Sequence, residues 1–267
     1  MKRYFVNTPG GQMCYLTEGT GLPLVLFHQS SFSSFEYERI IPILSKKFRV
    51  VAPDTLGYGY SDPAPRHWTF LDFVRSQEEF MNALGINNAY VVGHHTGALI
   101  AAELAISYPQ MVDRLVLSGC AIYEPSTRLD FYHKQSSLPP EGPLPPVEDG
   151  SHVIRMWNMQ KRENPDSPVD SVHRAMIANF LHYDKKGSDA FTALLGFDIE
   201  PRLSMIRKPT LVISGSKDVI QPPLFKPPDT PAKLIPGVKY KLIEGGAILV
   251  AYEMPEQFAG AILEFLN

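Results

Sequence analysis

A chain of 267 residues that is 44% hydrophobic and 20% charged has apolar material for one sizeable core and lacks the composition of a disordered chain. That length suits a single α/β domain with an insertion better than two full domains. The net charge of −3 gives no electrostatic reason to expect nucleic acid or an anionic membrane as partner, and two cysteines, Cys14 and Cys120, are too few for a disulfide framework or a zinc site.

The opening Met1–Thr8 carries basic residues but no apolar h-region, and no apolar run reaches the length of a membrane span. The expectation is therefore no signal peptide, no membrane association and the cytoplasm as default compartment. Arg3–Thr8 and Met13–Glu18 flank Pro9-Gly10-Gly11 and predict an N-terminal hairpin. Leu22–His28 is a continuous apolar run, as a strand buried on both faces requires. Phe35–Ser45 reads as a helix capped by Ser33 or Ser34, and Phe48–Pro53 as a strand. A helix follows over Phe70–Leu84, ended by Gly85, then a strand over Asn88–Gly93, an alanine-rich helix over Thr96–Tyr108 and a strand over Val112–Ser118. Strands alternating with helices predict a mainly parallel sheet.

After Gly119 this rhythm stops. From about Ala121 to Leu203 there are no strong strands, and the run from Leu138 to Pro146 holds too many prolines for a helix interior or a central strand. Weak helical patterns cover His152–Arg162, Pro168–Tyr183 and Ser188–Gly196. Strands then return at Thr210–Ser216 and Lys239–Ile243, with a closing helix over Pro255–Leu266. The expected domain plan is a core in two pieces, 1–120 and 204–267, with residues 121–203 inserted as a mainly helical cap over the carboxyl edge of the sheet, where open α/β sheets bind ligands.

Five short motifs fall at successive strand ends: Phe27-His28-Gln29-Ser30, the turn from Ala52 to Asp62 with Asp54, Gly57, Gly59 and Ser61, the elbow Gly93-His94-His95-Thr96-Gly97, Ser214-Gly215-Ser216-Lys217-Asp218, and Gly245-Gly246-Ala247. In this order they resemble the capped branch of the α/β-hydrolase superfamily. The resemblance implies that fold, an oxyanion segment at His28–Ser30, a nucleophile at position 95, an acid at Asp218 and a histidine at position 247. The chain departs from it at the reacting atoms. His95 stands where the G-x-S-x-G elbow carries serine, Ala247 stands at the histidine position, and no histidine occurs after His182. A Ser-His-Asp esterase is excluded. Gln29 also replaces the glycine of the oxyanion segment.

The two losses can compensate. With no imidazole at position 247, space opens beside the Ala247 methyl, and an elbow imidazole is long enough to lean toward Asp218. The expected product is a His95–Asp218 dyad whose carboxylate fixes the ring tautomer and stabilises the imidazolium. Such a dyad serves as general base, worth about 10²–10⁴-fold, or offers His95 as nucleophile. The backbone N–H groups of Ser30 and Thr96 are the candidate oxyanion donors, each worth roughly 3 kcal/mol when aligned. Gln29, Ser31, Glu124 and Trp157 are the candidate substrate contacts. His28 and His94 read as structural; the insertion also offers Tyr132, His133 and Tyr183, and the spacings of His152 with His173 or His182 match no metal signature. The expectation is a cofactor-independent hydrolase of a small, partly apolar ester, lactone or carbonyl compound, acting as monomer or homodimer without bound metal. One alternative is a lyase, isomerase or cyclase using the same dyad for proton abstraction. The other is a non-catalytic small-molecule binding protein.

Overall fold

The structure is a computed structural model, and it describes residues 1–137, 145–183, 187–218 and 225–267. Its centre is an eight-stranded sheet: β1 (Lys2–Thr8), β2 (Gly11–Glu18), β3 (Pro23–Phe27), β4 (Arg49–Pro53), β5 (Ala89–His94), β6 (Val112–Ser118), β7 (Thr210–Gly215) and β8 (Lys239–Ile243), in spatial order 1-2-4-3-5-6-7-8. The predicted hairpin is β1–β2. Strand β2 pairs antiparallel with β4, and from β4 to β8 every pairing is parallel. Alternate residues along the central strands enter opposite faces. Val25, Phe27, Val91, Leu115 and Leu117 join one core, and Leu24, Leu26, Val92, Val116 and Ile213 the other.

The helices are α1 (Ile41–Leu44), α2 (Phe70–Ala83), α3 (Thr96–Ser107), α4 (Pro125–Ser136), α5 (Ser151–Glu163), α6 (Val169–Tyr183), α7 (Ala190–Leu195), α8 (Thr230–Leu234), α9 (Val250–Glu253) and α10 (Pro255–Leu266). The helix expected over Phe35–Ser45 is broken in two. A 3₁₀ turn spans Ser34–Tyr37 and α1 begins only at Ile41. Pro42 has no N–H to continue a ladder from upstream, so it sits in the first turn of α1. Neither serine caps through its side chain. Instead the Asp54 carboxylate accepts the Ser34 N–H at 2.7 Å and the Tyr60 N–H at 2.8 Å, which makes the Asp54–Ser61 motif a device for shaping the chain.

Between β6 and β7 the described chain is helical, α4 to α7, with no strand of the main sheet. Helix α4 was not expected. Its residues are polar around most of the circumference, so it carries little periodic signal. The proline run falls mostly on residues 138–144, outside the described residues. Ala175 and Ala178 of α6 pack with Phe32 and Leu249 from the loops after β3 and β8. His182 stacks on Tyr58 with ring centroids 4.3 Å apart and bonds the Gly57 carbonyl at 3.0 Å. Among the described residues no helix is long and apolar enough to cross a membrane.

Candidate active site

Parallel pairing puts the ends of β3, β5, β6, β7 and β8 on one edge of the sheet. The loops carrying Ser30, His95, Gly119, Asp218 and Ala247 leave from that edge. Strand β5 passes into α3 through His95, whose φ of 48° and ψ of −115° form the strained turn of an elbow. The turn closes only because its flanks lack side chains. A Cβ at Gly93 would run into the Gly97 carbonyl, and one at Gly97 into the Phe27 carbonyl. The His95 N–H is held by the Ser118 carbonyl at 2.9 Å.

From this turn the His95 ring reaches Asp218, with Nε2 3.0 Å from Oδ2. Asp218 is buried. The ring passes directly over Gly119, which follows β6: a Cβ there would lie 2.7 Å from Nε2 and 3.3 Å from the Asp218 carboxylate. Gly119 itself has φ +56°. The contact thus depends on a missing Cβ at the neighbouring strand end, a requirement the elbow and acid motifs do not encode. Burial pushes the His95 imidazole down, but the charge and hydrogen bond of Asp218, joined by the charge of Glu36, outweigh it and hold the group above its ordinary value. As Nε2 is the atom at the carboxylate, the neutral ring donates Nε2–H to Asp218 and keeps its lone pair on Nδ1. Among the described residues Nδ1 has no hydrogen-bond partner.

His94, one residue earlier, points to the other side of the turn. It is fully buried, with Nδ1 3.0 Å from Ser118 Oγ and Nε2 2.8 Å from the Ile248 carbonyl. A carbonyl only accepts, so Nε2 carries the proton and Ser118 donates to Nδ1. Burial first, and the adjacent His95 charge second, push this imidazole down to about 3. His28 is likewise structural: its Nε2 accepts the Thr55 N–H at 3.0 Å and its Nδ1 donates to the Gln29 carbonyl at 2.7 Å.

The two candidate oxyanion loops touch, with Ser30 Oγ donating to Thr96 Oγ1 at 2.8 Å. Thr96 opens α3, where a first-turn N–H has no acceptor within its own helix and the helix dipole favours negative charge. Ser31 is half-buried in a left-handed conformation, φ 62°, beside Ser30.

Gln29 is 4% exposed and its side chain is engaged inward, its backbone N–H on Glu36 Oε2 at 3.0 Å and its Nε2 on Glu36 Oε1 at 3.0 Å. The glycine-to-glutamine change at this position is absorbed by that buried carboxyl. Glu124 stands just before α4, and its backbone carbonyl accepts the Arg128 N–H at 2.9 Å. Trp157 is half-buried on α5, and no described contact joins it to His95 or Asp218. Among the described residues no three His, Cys, Asp or Glu side chains are grouped to hold a metal ion. Glu36 and Gly119 were missed by sequence reasoning. An acidic residue between Phe35 and Tyr37, in a segment otherwise destined for the core, was the available signal for the first.

A family model described as alpha/beta hydrolase fold matches residues 23–139. Haloalkane dehalogenase 2 of Mycobacterium tuberculosis (strain ATCC 25618 / H37Rv) is 28% identical over 278 residues, covering 98% of this chain and 93% of that protein. The 2-hydroxymuconate semialdehyde hydrolase of Pseudomonas sp. (strain CF600) is 39% identical over 107 residues, which is 39% of this chain and 38% of that protein. The crystal structure of the enol-lactonase from Burkholderia xenovorans LB400 superposes with a TM-score of 0.76 at 21% identity, covering 98% of this chain and 99% of that one. The chain has the α/β-hydrolase fold, and residues 23–139 match the model of that family.

Proposed function

We propose that this protein is a cofactor-independent hydrolase of a small, partly apolar ester, lactone or carbonyl compound, in which His95 and Asp218 form a general-base dyad. The observation that carries the reading is the 3.0 Å contact between His95 Nε2 and Asp218 Oδ2 at a strained elbow. A water molecule gives its proton to Nδ1 of His95 as its oxygen attacks the substrate carbonyl, and Asp218 stabilises the imidazolium formed. The N–H groups of Ser30 and Thr96 receive the developing oxyanion. The imidazolium returns the proton to the leaving group, and the dyad is restored. Similar proteins named as a haloalkane dehalogenase, an enol-lactonase and a semialdehyde hydrolase support small-molecule hydrolysis.

Residues 121–203 act in this reading as the cap that closes over the substrate. The contacts of α6 with Phe32 and Leu249 support that role. The protein works in the cytoplasm as monomer or homodimer, with a small molecule as its only substrate partner.

A second reading keeps the dyad but uses it to abstract a substrate proton, giving a lyase, isomerase or cyclase. It is favoured by the elbow carrying a base with no hydroxyl nucleophile attached to it. A panel of 4-nitrophenyl acetate, dihydrocoumarin and benzoylacetone, turned over by wild type and His95→Ala, tests hydrolysis. Equal rates for the two proteins would sink the dyad. Solvent deuterium in recovered substrate without hydrolysis would select proton abstraction, and tight binding without turnover would select a binding protein.

A further inference from the structure

Beneath the elbow lies a buried carboxyl that the proposed chemistry does not use. Glu36, in the 3₁₀ turn after β3, is 1% exposed. It accepts both the backbone N–H and the side-chain Nε2 of Gln29 at 3.0 Å, and its Oε1 is 3.6 Å from His94 Nε2. The same Gln29 amide reaches the Ile248 carbonyl at 3.3 Å, which also accepts from His94 at 2.8 Å. Three loops meet at this group: the one leading to Ser30, the elbow, and the one after β8 that holds Ala247 in place of the family's histidine.

We propose that Glu36 is a positioning residue of this site, holding the Ser30 loop and the Ile248 loop against the elbow that carries His95. The proposal rests on the dyad reading above. Its neighbours Phe35 and Tyr37 are aromatic, and the inner surface of this turn is apolar core. Replacing a buried ionisable group by a well-packed apolar one is often neutral or favourable for stability, so a carboxyl here calls for a reason other than packing. Gln29 supplies it. In a loop where the family's pattern has glycine, the bonds to Glu36 fix the main chain immediately before Ser30.

The titratable groups facing the pair from other elements come from two, the loop after β7 and the end of β5. Asp218, after β7, faces His95. His94, at the end of β5, faces both Glu36 and His95, and it stays neutral above about 3 because burial opposes its charge. Gln29 and the Ile248 carbonyl are uncharged. Burial pushes the Glu36 carboxyl up to about 8, against the Gln29 hydrogen bonds and the His95 charge, which pull it down. The coupling is mutual: an ionised Glu36 favours the His95 imidazolium, and an imidazolium favours ionised Glu36. Removing the carboxyl therefore moves the His95 titration to lower pH to the extent that it overlaps the ionisation of Glu36.

The test is an NMR titration of the ligand-free full chain, with His95 assigned by its loss in His95→Ala. Glu36→Gln keeps the size of the side chain and an oxygen for the Gln29 N–H. It is expected to shift the His95 midpoint to lower pH and to cut kcat about tenfold on the best substrate of the panel, with KM within twofold. Gln29→Ala removes the side-chain tie but leaves the carboxyl. It is expected to lower kcat while the His95 midpoint stays in place, and it serves if Glu36→Gln does not fold. A His95 midpoint unmoved by Glu36→Gln, or a wild-type kcat in Gln29→Ala, overturns the proposal. The two readings fail separately. Should His95→Ala keep wild-type turnover while Glu36→Gln moves the titration, the dyad falls and the coupling stands. Should His95→Ala be dead while neither variant alters titration or kcat, Glu36 alone is wrong.

Discussion

The two sides of the elbow hold the same side chain in opposite states. His94 and His95 are adjacent in sequence and their rings meet edge to face with centroids 4.5 Å apart. His94, on the core side, makes its hydrogen bonds to neutral partners, Ser118 and the Ile248 carbonyl, lies 3.6 Å from the buried Glu36 carboxyl without a hydrogen bond to it, and burial leaves it uncharged. His95, on the cleft side, is buried nearly as well but faces a carboxylate, and its proton affinity rises. Depth of burial does not separate them. The partner does, because only an opposite charge offsets the loss of water around an imidazolium. One histidine therefore holds the turn together, and the other is left able to gain and lose a proton.

The largest effect should come from His95→Ala, a fall of about 10²–10⁴ in kcat/KM with the fold retained. Asp218→Asn tests the partner that distinguishes the two rings. It leaves a neutral acceptor or donor at Nε2, and turnover should drop about 10²-fold, with the rate profile moved to lower pH. His94→Leu should act in the other register. It leaves the Ser118 hydroxyl and the Ile248 carbonyl short of a partner, so chemical denaturation should show a loss of about 1–3 kcal/mol. If His94→Leu instead abolished turnover at full stability, the assignment of roles would be reversed. Gly119→Ala is the finest cut. The new methyl would press on Nε2 of His95 at a position with φ +56°, and an activity loss of about tenfold is expected beside a stability loss of about 1 kcal/mol.

Much of this arrangement is written locally and some is not. The central strands announce themselves as apolar runs, and β6 and α10 match their expected limits. His95 and Asp218 could be paired in advance because motif order fixes which strand ends carry them. Helix α4 gave no periodic signal, and Pro42 divided a segment whose apolar pattern suggested one helix. Gly119 and Glu36 lie in no motif. Their meaning comes from sheet order, which sets β6 between β5 and β7 and brings the turn after β3 beneath the elbow. The Ala247 methyl proved a partial guide: it marks the missing imidazole, but the described contact that makes room for His95 is with Gly119.

The sign of the pH response follows from the raised His95. A base acts when unprotonated, so kcat/KM should climb with pH through a midpoint above 6.5. In stability the same shift works the other way: the proton on His95 favours the folded state, fully below the unfolded value of about 6.5, and that contribution is lost as pH rises through the folded value. Both rings can be followed in one NMR titration of histidine-labelled protein between pH 5 and 9. The account predicts that His95 titrates with a midpoint above 6.5 that falls in Asp218→Asn, while His94 shows no titration of its own across the range. A His95 midpoint at or below 6.5 that Asp218→Asn leaves unchanged would contradict it.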